Sequence, residues 1–177
     1  MMIGRSVVAL ATAAALLMPS VASGACLNAP EAESITLVAL PEILRQTGVV
    51  CAGRLPASSL LRQGDGPFLA KYDAAADRAW PKARGAIVKL SNPAADVLLG
   101  SEYARPLLTS LLVPLLVGRI AQADCGVLDT LVTQLAPLPP TNTAGVVVTA
   151  LRYFNAEKAK GKPIDVPDLP LCPENAR

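Results

Sequence analysis

Prolines recur at short intervals along this sequence and limit how far any regular element can run. The chain has 16 prolines, and from residue 30 to residue 106 successive prolines stand 11 to 15 positions apart. Because proline lacks a backbone N–H and its ring clashes with the preceding helical turn, it tends to start helices or to interrupt them. No stretch alternates apolar and polar residues for long enough to predict a sheet. We therefore expect an all-α fold, a compact bundle of about five to six short helices.

The clearest helical pattern spans residues 67–90. Apolar residues recur there at every third or fourth position and form one stripe, made of Phe68, Tyr72, Ala76, Ala79, Ala83, Ile87 and Leu90. Pro67 suits the first helical position. Pro81 lies inside the pattern, where a proline costs about 3 kcal/mol, so we expect a kink or a break there.

A run of aliphatic residues extends from Leu107 to Val117, between Arg105 and Arg119. The 13 residues between these two charges are too few to cross a bilayer. We predict that the run forms the central buried helix and bends at Pro114. The alternative is a surface that faces lipid or a protein partner.

Capping residues and prolines predict three further helices. The first lies between Pro93 and Gly100, and the second is capped by Asp124 and ends at Pro137. The third begins at Thr141 or Thr143 and ends at Gly161 with Pro163. Three lysines at residues 158–162 are interpreted as a frayed helix end rather than a contact for acidic lipid headgroups. Pro41 and Gly48 predict a further short helix, and residues 35–38 fit either an extended segment or an earlier helical turn.

The last residues form a proline-rich tail. Between residues 163 and 173 a proline follows every third or fourth residue, which favours an extended, polyproline-like conformation. We expect residues 163–177 to pack on the body of the protein, with Cys172 as a covalent attachment. The alternative is a PxxP ligand for another protein.

The first 25 residues have the order of a secretory signal peptide. Arg5 precedes an uncharged apolar run over residues 6–17, and small residues follow at residues 21–25. We expect residues 1–25 to be the signal peptide and residues 26–177 to be a single helical domain, secreted or periplasmic. The mature chain would then have no transmembrane segment. Cys26 lies where a lipoprotein carries its lipid, so a lipid anchor at Cys26 is the alternative.

Four cysteines follow the predicted cleavage zone: Cys26, Cys51, Cys125 and Cys172. An even number in an exported chain is typical of a disulfide framework. Of the three possible pairings we favour Cys26–Cys51 with Cys125–Cys172, which would fasten the N-terminus and the tail. Each bond would contribute about 3–4 kcal/mol. The wide spacing disfavours a redox or metal site.

The composition narrows the chemistry. The chain has no histidine, so mechanisms and metal sites that need imidazole are excluded. A formal net charge of +2 and an aromatic content of 3% give no basis for binding nucleic acid. We expect no catalytic, cofactor-binding or metal-binding residues and no cofactor. Two carboxylate pairs, Asp73 with Asp77 and Asp96 with Glu102, are the candidates for an alternative, a carboxylate-based hydrolase or lyase.

The aliphatic excess and the missing catalytic side chains favour a non-enzymatic function. We expect an interaction module that binds either a protein partner or a small apolar ligand in a cleft between helices. The run from Leu107 to Val117 distinguishes the two: an open cavity along it supports the ligand, and a closed core leaves only the protein partner.

Overall fold

The computed structural model describes residues 25–91 and 94–173. Six α-helices follow one another in this part of the chain, with two short 3-10 turns at Leu60–Arg62 and Gln122–Asp124: α1 (Ala29–Val50), α2 (Pro67–Leu90), α3 (Ala94–Leu99), α4 (Ala104–Val117), α5 (Cys125–Leu135) and α6 (Pro140–Ala159). Within those residues, β-type pairing is limited to one bridge. The all-α prediction is confirmed. Residues 1–24, nearly all of the predicted signal peptide, and Pro93 lie outside the described residues.

Helix α1 is the central helix, and it packs against α2, α4 and α6. A capping box fixes its start. The Asn28 side chain accepts a hydrogen bond from the Glu31 N–H at 2.9 Å, and the Glu31 carboxylate accepts one from the Asn28 N–H at 2.8 Å. This cap lies well before Pro41, so the helix is already established when it reaches the proline.

The short helix predicted between Pro41 and Gly48 is therefore wrong. Helix α1 has 22 residues and continues through Pro41, and the uncertain residues 35–38 are helical. An interior proline costs about 3 kcal/mol. Burial of the leucines on both sides of it, Leu37, Leu40 and Leu44, contributes about 1.5–3 kcal/mol for each side chain and offsets that cost.

Helix α2 confirms the predicted stripe. Phe68, Tyr72, Ala76, Ala79 and Ala83 are buried, and the last two stripe residues are half-buried. Of the predicted kink or break at Pro81, the break is wrong, since the helix runs unbroken for 24 residues, and the kink stays a prediction. Pro81 and Asp77 are both exposed, so water can bind the Asp77 carbonyl that the proline leaves without an intrahelical partner.

The main core lies between α1 and α2. Its large buried members come from these two helices and the loop that joins them, and they include Leu37, Leu44, Leu55, Leu61, Leu69 and Tyr72. Helix α4 was predicted as the central buried helix, and this is wrong. Among the α4 side chains that the structure describes, Ala104, Val113 and Val117 alone are buried, whereas Leu107, Leu111 and Leu112 are 55–62% exposed.

The disulfides join Cys26 to Cys172 and Cys51 to Cys125. The favoured pairing of Cys26 with Cys51 and Cys125 with Cys172 is wrong. Cys26 precedes α1 and Cys51 follows it, and a helix of 22 residues is about 33 Å long, so the two cysteines lie at opposite ends of the bundle. The Cα atoms of a disulfide must come within about 7 Å.

The C-terminal tail returns to the start of α1. The Leu27 N–H donates to the Pro170 carbonyl at 2.7 Å, and the Cys172 N–H donates to the Leu27 carbonyl at 2.8 Å. Within the described part of the tail, two ion pairs join it to the helical body: Lys158 with Asp168 at 2.8 Å and Arg119 with Asp165 at 2.5 Å. Residues 162–170 are neither helix nor strand. The polyproline-like conformation of the tail stays a prediction.

The predicted boundaries of the last two helices are close to those observed. Asp124 precedes α5 as predicted, but its side chain makes no capping hydrogen bond. Helix α6 begins at Pro140 rather than at Thr141 or Thr143, since proline fits the first turn, where no intrahelical N–H is needed. Gly161 follows the helix with a φ of 86°, a conformation that glycine adopts without strain.

Candidate functional site

A cavity of about 560 Å³ lies between α1, α2, α4, α6 and the tail, and we call it the apolar cleft. Helices α1 and α4 contribute the most side chains to its lining, and we call them its two walls. The lining side chains are Ile35, Thr36, Val38, Ala39, Ile43, Trp80, Ala83, Ile87, Leu108, Thr109, Leu112, Val113, Leu116, Arg119, Val147, Leu151, Pro167 and Leu169. The aliphatic run of the sequence is thus part of an open cavity.

Helix α4 can line a cleft because its aliphatic residues cover more than one face. Leu108, Leu112 and Leu116 follow one another at intervals of four and all line the apolar cleft. Leu107 and Leu111 lie beside them and point into solvent. A helix at the edge of a bundle buries one face only, so an aliphatic run at this place leaves leucine side chains exposed.

The polar atoms of the cleft wall are few. Thr36 Oγ1 donates its proton to the Ala32 carbonyl at 2.9 Å, and Thr109 Oγ1 donates to the Arg105 carbonyl at 3.1 Å. Both hydroxyl protons are therefore used inside their own helices. Among the described residues that line the cleft, Arg119 alone has a charged side chain. Recognition in this cleft rests on shape and apolar contact, with one cation at its rim.

Arg119 lies two residues after the end of α4 and reaches the tail. Its Nη1 donates to Asp165 Oδ1 at 2.5 Å, and the two side chains are 55% and 81% exposed. The tail also supplies Pro167 and Leu169 to the cleft wall. The tail residues and α1 were not predicted as site residues. The usable signal was Arg119, since this cation ended the aliphatic run from Leu107 to Val117.

The candidate carboxylates are held by arginines. The contacts are Asp73 with Arg45 at 2.6 Å, Asp77 with Arg105, and Asp96 with Arg84 at 2.7 Å. These three acidic side chains are 39–70% exposed. Neither predicted pair brings two desolvated carboxylates together, which is the geometry that acid–base chemistry needs.

Asp73 and Glu102 do share a second cavity, of about 430 Å³ between α1, α2 and α4. Glu42, Arg45 and Arg105 also line this cavity, so it holds three carboxylates and two guanidinium groups. Arg45 pairs with both Asp73, at 2.6 Å, and Glu42, at 3.9 Å. The carboxylate-based hydrolase or lyase stays a hypothesis without a supporting geometry.

The three lysines at residues 158–162 form ion pairs at the end of α6, and the frayed helix end stays a prediction. Glu157 is buried, with 6% of its surface exposed, and it contacts both Lys160, at 2.7 Å, and Lys162. Its hydrogen bond to Lys160, together with that to Lys162, lowers the pKa of the Glu157 carboxyl, and the same contact raises the pKa of Lys160. This cluster stabilises the turn that leads into the tail.

The described residues contain no group of three or more cysteine, aspartate or glutamate side chains arranged to hold a metal ion. In the same residues, no helix combines the length and hydropathy that a membrane crossing requires. No protein-family model matches the chain, and comparison with curated proteins and with solved structures gave no match. The geometry of the apolar cleft is therefore the basis for its function.

Proposed function

We propose that this protein binds a small apolar molecule in the apolar cleft and is not an enzyme. The observation that carries the proposal is the lining, which is aliphatic on both walls and extends over four helices and the tail. A cavity of about 560 Å³ lies within the range of about 300–1,000 Å³ that is usual for small-molecule sites.

The gain from filling the cleft comes from apolar contact. Each methylene group moved from water to an apolar wall contributes about 0.8 kcal/mol, so ten of them contribute about 8 kcal/mol before the entropic cost of association. An aliphatic chain fits this wall better than a polar metabolite, because the two threonine hydroxyl protons are already used inside their helices.

We propose that the protein acts in the periplasm or outside the cell, after removal of residues 1–25. All four cysteines are paired in disulfides. Such bonds persist in oxidising compartments. With its sulfur bonded to Cys172, Cys26 has no thiol left to carry a lipid, which speaks against the lipid-anchored alternative.

Titration with N-phenylnaphthylamine, a neutral fluorophore that brightens in apolar surroundings, tests the proposed function. The full chain, expressed for export and purified with both disulfides intact, should bind the probe saturably with one site. Ala39→Phe places a ring in the cleft and should weaken binding at least about tenfold. Ala74→Phe, on the exposed face of α2, is the matched control and should leave binding unchanged.

Leu112→Gln provides a second variant in case Ala39→Phe disturbs folding. Leu112 lines the cleft but is 55% exposed, so the fold should tolerate glutamine there. Probe binding should weaken while the circular dichroism spectrum stays the same. Equal binding by the wild type and both cleft variants, or no saturable binding at all, would contradict the proposed function.

A second candidate function is binding of a protein partner through the outer faces of α3 and α4. Five large apolar side chains there are 59–82% exposed: Val97, Leu98, Tyr103, Leu107 and Leu111. Contiguous exposed apolar surface commonly marks an interaction site. A benzoylphenylalanine photo-crosslinker at Leu111 in exporting cells should give one discrete adduct, and the same group at Ala74 should give none. The absence of an adduct at Leu111 would contradict this candidate.

A further inference from the structure

We infer that the ligand of the apolar cleft is an anionic amphiphile, a long-chain carboxylate whose head group binds Arg119. This inference rests on the proposed function and adds to it the chemical class of the ligand. The head group would lie at the end of the cleft next to Arg119, and the chain would lie between α1 and α4.

The described cleft lining carries its charge at one place. Arg119 alone among the described lining residues is charged, and it lies at the end of α4, next to Leu116 of the aliphatic wall. A carboxylate bound there would place its chain along Leu116, Leu112 and Leu108, which follow at intervals of four. The carboxylate head would thus contact the cation, and the aliphatic chain would contact the apolar wall of α4.

Arg119 has hydrogen-bond donors left for a ligand at the rim of the cleft. The guanidinium group has five N–H donors, and its side-chain contact to Asp165 is a single hydrogen bond from Nη1 at 2.5 Å. The threonine hydroxyls have already donated their protons to backbone carbonyls. A head group that accepts hydrogen bonds and carries negative charge therefore matches Arg119, whereas a cationic head group would face its charge.

A ligand carboxylate can replace Asp165 on Arg119. Asp165 is 81% exposed, and an exposed ion pair of this kind contributes about 0–1 kcal/mol, so a ligand carboxylate can take its place on the guanidinium. Asp165 then acts as an internal competitor. Its removal should strengthen the binding of a carboxylate ligand without changing the binding of a neutral ligand with the same chain.

Calorimetric titration of dodecanoate and of dodecanol, below their aggregation limits and at a pH that keeps the acid ionised, tests the inference. The wild type should bind dodecanoate about tenfold more tightly than dodecanol, as charge-assisted hydrogen bonds require. Arg119→Gln should remove this difference and leave dodecanol binding unchanged. Asp165→Asn should increase the affinity for dodecanoate about twofold to tenfold. Arg54→Gln, at an exposed arginine outside the cleft lining, is the matched control.

Failure of the head-group assignment and failure of the proposed function give different results. If both compounds bind equally, or if Arg119→Gln weakens both by the same factor, the anionic head group is wrong while the apolar cleft stands. If dodecanoate binds more tightly but Arg119→Gln keeps the difference, the assignment to Arg119 is wrong. If neither compound binds, the proposed function and this inference both fail.

Discussion

At the scale of single residues, Gly48 has the least room for a side chain among the glycines in the described part of the chain. A Cβ atom added there would lie 1.9 Å from the carbonyl oxygen of Leu61, so α1 and the 3-10 turn approach each other through a residue without a side chain. That oxygen belongs to the backbone and cannot rotate away. The close approach fixes the connection between α1 and α2.

Gly48→Ala should therefore lower the free energy of unfolding, measured by urea denaturation, by at least about 1–3 kcal/mol. Gly85→Ala is the control, because a Cβ at Gly85 meets nothing within 4 Å and alanine favours a helix interior. It should raise the free energy of unfolding by about 0.5–1 kcal/mol. Equal stability of Gly48→Ala and the wild type would show that the two segments lie further apart.

Ion pairs at Glu157 and Glu31 predict how stability depends on pH. The hydrogen bond to Lys160, and then that to Lys162, lowers the pKa of Glu157, and the hydrogen bond to Lys89 lowers the pKa of Glu31. A carboxyl whose pKa is lower when folded adds stability above its unfolded pKa, and that stability is lost as the pH falls through the folded value.

Thermal unfolding followed between neutral pH and about pH 3 should thus show a midpoint that begins to fall near the usual carboxyl pKa of 4.5. The double variant Glu31→Gln/Glu157→Gln should have a lower midpoint at neutral pH and a shallower acid slope. A double variant with the same acid slope as the wild type would show that these ion pairs do not carry the dependence.

At the scale of helices, the accuracy of prediction depended on whether a helix has a polar face. Helix α2 alternates a stripe of small and aromatic residues with charged ones, so its buried face and its two ends follow from the sequence, although its continuity through Pro81 does not. Helix α4 has aliphatic residues on all sides, and such a pattern does not say which neighbour covers it. Its place at the edge of the bundle depends on α1, which was missed because Pro41 suggested a helix start.

Two substitutions in α4 test its position. Val113 is 1% exposed and Leu111 is 62% exposed. Val113→Ala should lower the free energy of unfolding by about 1–3 kcal/mol, because it removes buried methyl groups. Leu111→Ala should change it by less than about 0.5 kcal/mol. A loss of about 2–5 kcal/mol for Leu111→Ala is typical of a buried leucine, and it would show that α4 is the central buried helix predicted from the sequence.

At the scale of the whole molecule, the disulfides tie distant parts of the chain together. Cys26–Cys172 closes a loop with a sequence separation of 146, and Cys51–Cys125 one of 74. The cysteines themselves could be predicted as a disulfide set from their even number. Their pairing could not, because it depends on the length of α1 and on the return of the tail to Leu27.

Replacing either pair by alanine should lower the free energy of unfolding by about 4–5 kcal/mol in the chain-entropy model. The Cys51–Cys125 pair should lose more, since both of its residues are fully buried and also contribute packing. Peptide mapping without reduction provides the direct control. A peptide that joins Cys26 to Cys51 would contradict the observed connectivity.

The site, too, is a property of the whole molecule, because its walls come from both ends of the chain. Residues 35–43 of α1, the leucines of α4 and residues 167–169 of the tail meet only in the folded protein. Sequence patterns could predict an aliphatic surface and a cleft as one of two outcomes. They could not say that the tail closes one side of it.

Methyl NMR of the exported protein during titration with dodecanoate tests binding in the apolar cleft most directly, because α4 presents both a lining face and an outer face. Binding in the cleft predicts saturable shifts for the methyl groups of Leu108, Leu112 and Leu116, with those of Leu107 and Leu111 unchanged. Shifts confined to Leu107 and Leu111, or no saturable shifts, would contradict a ligand site in the cleft.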